Sequence, residues 1–225
     1  MAPIHTLQRA ASLADQAAEH IRKRIVDGDV RLGQALSESD FAEQLGVSKT
    51  PVREAFLRLK TEGLVDIQPQ RGTFVFNLVP SELEKLVSVR TMLETSALQS
   101  AMRRDAVGLG RALMAIATTM KTAATIRGGD KYRDLDRKFH RSIIEHSDNC
   151  FLASCYDTID FRFRALRNRL ADRPWINART LIEHRTLAVL VGAGQVGKAK
   201  TLLNRHLRAA TSDYDQLLRD HAKLQ

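Results

Sequence analysis

The sequence predicts a mainly α protein in two parts: an N-terminal winged helix-turn-helix over residues 1–77, and a C-terminal all-α antiparallel helical bundle over residues 78–225. Three observations carry this reading. Before residue 77, two helical segments with capping residues are joined by a Gly turn and followed by a short hairpin pattern. From Pro80 onward no strand pattern occurs, and apolar residues recur at helical spacing between Gly, Pro and polar breaks. Of the 225 residues 44% are hydrophobic, so both parts can hold a packed core.

The first helix is expected from about Leu13 to Val26, with Leu13, Ala17, Ile21 and Ile25 on one face and Asp27-Gly28-Asp29 as its stop. Ser37-Glu38-Ser39-Asp40 starts the second: Ser37 caps free amides and the acids suit the positive helix end. Phe41, Ala42 and Leu45 face inward, and Gly46 ends it. Ser48 caps a third helix, Lys49 to about Glu62, with Pro51 in its first turn, where a missing N–H costs nothing. Val52, Ala55, Phe56 and Leu59 take the core face, which leaves Lys49, Thr50 and Arg53 exposed at the end that enters a major groove in helix-turn-helix proteins. An Arg there can hold a guanine edge by two bonds, while Ser48, Lys49 and Thr50 suit phosphates. Residues 64–67 and 73–76 read as a hairpin, a wing tipped by Arg71-Gly72.

Six helices are expected beyond Pro80: 81–104, 106–127, 130–147, 149–171, 175–192 and 195–222. Their breaks are Arg104-Asp105, Gly128-Gly129, Ser147-Asp148-Asn149, Asp172-Arg173-Pro174 and Gly192-Ala193-Gly194. Polar residues interrupt the apolar stripes. Asp136 and His140, four apart, lie within Tyr132, Leu135, Phe139 and Ile143; His184 lies within Leu181, Ala188 and Val191; His206 is flanked by Ala199, Leu202, Leu203 and Ala210. An inward Asp costs several kcal/mol unless paired or metal-bound. One divalent cation binding all four would explain the set, and imidazole with carboxylate suits Zn, Ni or Mn. Any one His alone is more often a hydrogen-bonded core or surface residue, and Asp136–His140 alone fits a simple helical pair; three inward histidines with an acid are harder to explain so. Arg90 interrupts a stripe of Leu83, Leu86, Val87, Leu93, Ala97 and Ala101, and Arg167 one of Phe163, Leu166 and Leu170. Either pairs internally, Arg90 with Glu94, or faces the carboxylate of a ligand. Arg162, Arg164 and Arg169 read as solvated.

Bulk properties bound the rest. The net charge is +9, but residues 1–77 hold ten Lys/Arg and ten Asp/Glu, so the excess, 25 against 16, lies entirely beyond them. The basic charge is therefore no warrant for DNA binding. Cys150 and Cys155 read as reduced core residues of a cytoplasmic protein. No apolar run approaches the roughly 20 residues of a membrane helix, and the N-terminus lacks the pattern of a signal peptide.

The stretch Ser37-Glu38, Leu45-Gly46-Val47-Ser48, Thr50-Pro51-Val52-Arg53-Glu54-Ala55, Leu59, Glu62-Gly63-Leu64-Val65 and Arg71-Gly72 resembles the DNA-binding domain of GntR-type regulators. The resemblance implies that Lys49, Thr50, Arg53, Arg71 and Gly72 lie at the DNA. Lys49 and Ser39 stand where many and some members, respectively, have Arg. Asp136-x-x-x-His140, Ser147-x-Asn149, Glu183-His184 and His206 resemble the FCD ligand-binding domain of the FadR-type branch. That resemblance implies metal ligands at Asp136, His140, His184 and His206, and a small organic acid as effector, met by Arg90 and Arg167. The implied function is a repressor, not an enzyme: a homodimer on a double-stranded, pseudo-palindromic operator, controlled by a small carboxylate. The alternatives are a metal-dependent hydrolase or lyase, with Glu183 or Glu145 as base, and an architectural DNA-packaging protein, against which the net-neutral N-terminal domain argues.

Overall fold

The computed structural model describes residues 11–125, 129–170 and 174–222. The chain forms two compact units, Met1–Asn77 and Leu78–Gln225.

In the first unit, helix α1 (Leu13–Asp27) starts at a capping box, Ser12 with Asp15, and stops at Gly28 in the left-handed region. Its buried face is Ala14, Ala17, Ala18, Ile21, Ile25 and Val26; Leu13, expected inside, is 57% exposed. Strand β1 (Ala35–Leu36) leads into α2 (Glu38–Leu45), where Ser37 caps the amide of Asp40 at 3.2 Å. Gly46, at φ 65°, turns the chain into α3 (Lys49–Thr61). Ser48 has the extended backbone of an N-cap, but its hydroxyl makes no capping bond, contrary to the expectation. Val52, Ala55, Phe56 and Leu59 are buried as expected, with Phe41 edge-on to Phe56. Burying each such large side chain stabilises the unit by about 1.5–3 kcal/mol. Strands β2 (Val65–Gln68) and β3 (Gly72–Val75) pair antiparallel, Val65 opposite Val75 and Gln68 opposite Gly72. β1 adds to the other edge of β3, giving the order β1-β3-β2. The third strand escapes sequence reading because two residues show no alternation.

In the second unit, α4 (Pro80–Thr125) holds two helical arms separated at Asp105, whose φ of −154° and ψ of 81° are non-helical. Its carboxylate accepts from the amide of Gly108 at 2.7 Å, so the expected break at Arg104-Asp105 is a kink in which Asp105 caps the second arm. α5 (Gly129–His146) is followed by Asn149, which caps α6 (Cys150–Asn168) through the amide of Leu152 at 3.1 Å. α7 (Pro174–Gly192) and α8 (Val196–Ala222) complete the bundle, and α4 packs on α5, α6, α7 and α8. The expected breaks at Gly128 and Asp172-Arg173 lie outside the described residues. The second arm of α4 approaches α7 closely: a Cβ on Gly110 would lie 2.5 Å from the backbone of Gly192. Cys150 and Cys155 are exposed, not in the core, and Arg162, Arg164 and Arg169 are partly buried rather than solvated. No described helix is long and apolar enough to cross a membrane.

Candidate metal centre, effector pocket and DNA-facing surface

His140 on α5, His184 on α7 and His206 on α8 each sit on the buried stripe of their helix, so packing the three helices together brings the imidazoles to one point. His206 Nε2 lies 3.2 Å from His184 Nε2 and 3.4 Å from His140 Nε2. One nitrogen from each residue lies within 4.8 Å of the others. Two nitrogens bound about 2.0–2.1 Å from a tetrahedral ion are themselves about 3.3–3.4 Å apart. Phe139 stacks on His184 at 3.8 Å between centroids and fixes its ring.

Two carboxylates settle the tautomers. Glu94 Oε2 lies 2.7 Å from His140 Nδ1, and Glu183 Oε2 lies 2.7 Å from His206 Nδ1. Burial pushes the Glu94 carboxyl up, but His140 and Arg90 outweigh it and hold it at about 2. Glu183 is lowered mainly by its hydrogen bond from His206. Both are ionised acceptors, so each Nδ1 carries a proton toward its carboxylate and each Nε2 is the nitrogen left to face the centre. The two Nε2 atoms lie 3.4 Å apart, and in neutral imidazoles with Nδ1 protonated both would present lone pairs there, an arrangement that a cation between them relieves. His184 is held neutral, well below the ordinary imidazole value, by burial and by the neighbouring histidines. Its Nδ1 is buried without a hydrogen-bond partner, so its single proton cannot satisfy both nitrogens. The donor set and its polarity fit a divalent ion.

Asp136, expected as the fourth ligand, does not converge with the histidines. Its Oδ1 is 4.0 Å from His184 Nε2, and its Oδ2 faces Arg167 Nε at 3.5 Å. The mismatch has an electrostatic cause: a buried carboxylate leans on the nearest full positive charge, here Arg167, which with the histidines keeps it ionised despite burial. Arg90 is also buried; its Nε donates to Glu94 at 2.6 Å and its guanidinium lies 4.6 Å from the Phe163 ring centre. The internal partner considered for Arg90 is thus present. Arg167 donates to Asn177 at 3.1 Å. Even so, both arginines line a pocket beside the triad, about 370 Å³ of empty space partly open to solvent, together with Asp136, His140 and His206.

The sequence reading missed Arg179, Thr180, Asp213 and Tyr214, which line the same pocket. The signal was there: Thr180 precedes His184 by four residues and Asp213 follows His206 by seven, helical steps on the face already singled out. As for the bases imagined for an enzyme, Glu183 is occupied by His206, and Glu145 is exposed and bonded to Arg141. Neither is free in the pocket.

In the first unit, Ser48, Lys49, Thr50 and Arg53 are exposed at the start of α3, and Arg71 and Gly72 at the wing. Arg53 is gripped by Glu38 of α2 at 3.1 and 2.8 Å. Sequence reading used Glu38 only as a helix-start residue.

A winged helix-turn-helix with an exposed basic helix end, joined to a helical bundle, is the build of a bacterial transcription regulator. Residues 13–75 match the family model for bacterial regulatory proteins of the gntR family, and residues 85–209 match the FCD domain. The chain is a member of the gntR family carrying an FCD domain. It is 28% identical over 179 residues to the gluconate operon transcriptional repressor of Bacillus subtilis, covering 77% of this chain and 73% of that one. Its fold is shared by a GntR regulator from Rhodococcus sp. RHA1 (TM-score 0.74, 21% identity, 89% and 96% covered) and by McbR/YncC of E. coli (TM-score 0.70, 21% identity, 92% and 99% covered).

Proposed function

We propose that the protein is a cytoplasmic, homodimeric repressor whose hold on operator DNA is controlled by a small carboxylate bound at a divalent metal site in the C-terminal bundle. The observation that carries this is the triad with its pocket: three imidazoles turned on one point beside Arg90 and Arg167, in the family's FCD domain. The likeness to a gluconate operon repressor supports the repressor role. Arg53 reads a base edge in the major groove, with Ser48, Lys49 and Thr50 on phosphates and Arg71-Gly72 at the adjacent groove.

His140, His184 and His206 would hold the metal, Zn, Ni or Mn, with Asp136 completing the set after a small shift away from Arg167. Bound there, the ion would supply a positive point for an acid's carboxylate. Glu94 and Glu183 hold the imidazole protons on Nδ1, and Arg90 and Arg167 orient the acid's oxygens. An acid that bridges α4, α6 and the triad helices favours one packing of the bundle over another. Unequal affinity for the two is all that control of the operator requires.

The test is a gel-shift titration on DNA that the protein selects from a random pool, with and without organic acids. The ratio of operator affinities with and without acid departs from one for the metal-loaded protein and returns to about one in His140→Ala. An unchanged ratio in that variant defeats the proposal. Elemental analysis of the purified protein should find about one metal per chain.

A further inference from the structure

We infer that the pocket is shaped and charged for a polyhydroxylated monocarboxylate of the aldonic type, and discriminates against dicarboxylates and against plain fatty acids. This rests on the metal and acid reading above, and adds to it the charge and hydroxylation of the ligand.

The charge follows from a count. Arg90, Arg167 and Arg179 line the pocket, against Asp136 and Asp213. Two further carboxylates, Glu94 and Glu183, bond directly to His140 and His206. With neutral imidazoles, three cations face four carboxylates, and the set carries one net negative charge. A divalent ion at the triad turns this into one net positive charge. A single carboxylate neutralises it. A second would leave the site negative again, among side chains that are themselves largely buried.

The length follows from helix geometry. Arg179 and Thr180 lie about one turn before His184 on α7, and Asp213 and Tyr214 about two turns beyond His206 on α8. These residues thus lie roughly 6–12 Å along the helices from the triad, a span within reach of a carboxylate-headed chain of about six carbons.

The chemistry of the far end decides the tail. Arg179 Nη2 donates to Asp213 Oδ2 at 2.5 Å, so its charge is already matched. Thr180 and Tyr214 line the same pocket as this pair. A ligand hydroxyl can donate to Asp213 and accept from Arg179 or Thr180. A second carboxylate can only accept, and would meet the Asp213 oxygens. An alkyl tail would cover these polar groups without replacing their water. Leu170, Ile176 and Leu207 supply the apolar walls that a carbon backbone needs.

The experiment is calorimetric titration of full-length, zinc-loaded protein with D-gluconate, D-galactonate and D-mannonate, and with hexanoate, adipate and D-glucarate. At least one aldonate should bind about tenfold or more tightly than each of the other three. Removing the metal should weaken that aldonate by a similar factor. Thr180→Val should weaken the aldonate without helping glucarate. Asp213→Asn should weaken the aldonate and tighten glucarate, a reversal that misfolding cannot produce. If adipate, glucarate or hexanoate matches the best aldonate, or Asp213→Asn leaves the preference unchanged, the inference falls while the acid site stands. If the zinc-loaded protein binds none of the six, the acid reading falls with it.

Discussion

Glu94 is fully buried, and its two oxygens serve three groups: Oε1 faces Arg90 Nε and the Tyr156 hydroxyl, and Oε2 faces His140 Nδ1. In Glu94→Gln one side of the head group becomes a donor, and both Arg90 and His140 already donate. Either Arg90 loses its counter-charge or His140 loses the bond that fixes its tautomer. The expected outcome is a 10–100-fold loss of metal affinity, about the usual cost of an outer-shell partner, with a stability loss of about 3–5 kcal/mol from an unpaired buried charge. Chelator competition and thermal denaturation measure the two; metal affinity within twofold of wild type would show that Glu94 does not set the tautomer. At the DNA-facing end, Glu38 both aims the Arg53 guanidinium and sets a negative charge beside it. Glu38→Gln should tighten binding to random DNA more than to operator, lowering the specificity ratio and steepening the salt dependence. Anisotropy titrations at several salt concentrations check this, and a ratio that rises would contradict it. The histidines were legible because each interrupts an apolar stripe. The Glu94–His140 bond was not, because it spans 46 residues, and periodicity carries no information about which helices meet.

Among the elements, α4 packs against all three helices that carry the triad, and meets α7 in a close approach at Gly110 and Gly192. Helix breaks were readable from local chemistry: Asp105 caps, Gly46 and Gly194 take left-handed backbone, and Asn149 starts α6. Strand β1 was not readable, since only its pairing with β3 makes it a strand. Gly110 shows no such local signal, because its role lies in a close approach between distant segments. Replacing a helical Gly by Ala ordinarily stabilises by up to about 1 kcal/mol. Here the new methyl would meet the Gly192 backbone at 2.5 Å, and backbone cannot swing aside as a side chain can. Overpacking of about 1–3 kcal/mol should win. Gly110→Ala is therefore expected to lower the melting temperature by several degrees and, because α7 carries His184, to weaken metal binding as well. A melting temperature at or above wild type would show that the helices separate freely.

At the scale of the whole molecule, the position of the charge explains what composition could not. The +9 lies beyond residue 77, where part of it faces the pocket as Arg90, Arg167 and Arg179. Four carboxylates surround those arginines and the triad, and the histidines take up the strain of that crowded interior. Burial is the main cause that lowers His184 and His206, outweighing the upward pull of Glu183 and Asp136 on His206; Arg167 and Arg90 push His184 the same way as burial. An unfolded chain protonates both imidazoles near the ordinary value of about 6.5, while the folded chain does not. The unfolded state thus binds more protons between that value and the lower folded values, and unfolding free energy must rise with pH across this window and drop as acid is added. Glu94 has the same sign at a lower window, between the ordinary carboxyl value and about 2. The metal-free protein is expected to melt at progressively lower temperature as pH falls from about 7.5 to about 5.5. His184→Phe, which keeps a flat ring against Phe139, should flatten that slope. Differential scanning fluorimetry across the range measures it. A melting temperature that holds or rises on acidification would mean that the folded protein protonates His184 and His206 as readily as the unfolded chain, and that these imidazoles are not held ready for a cation.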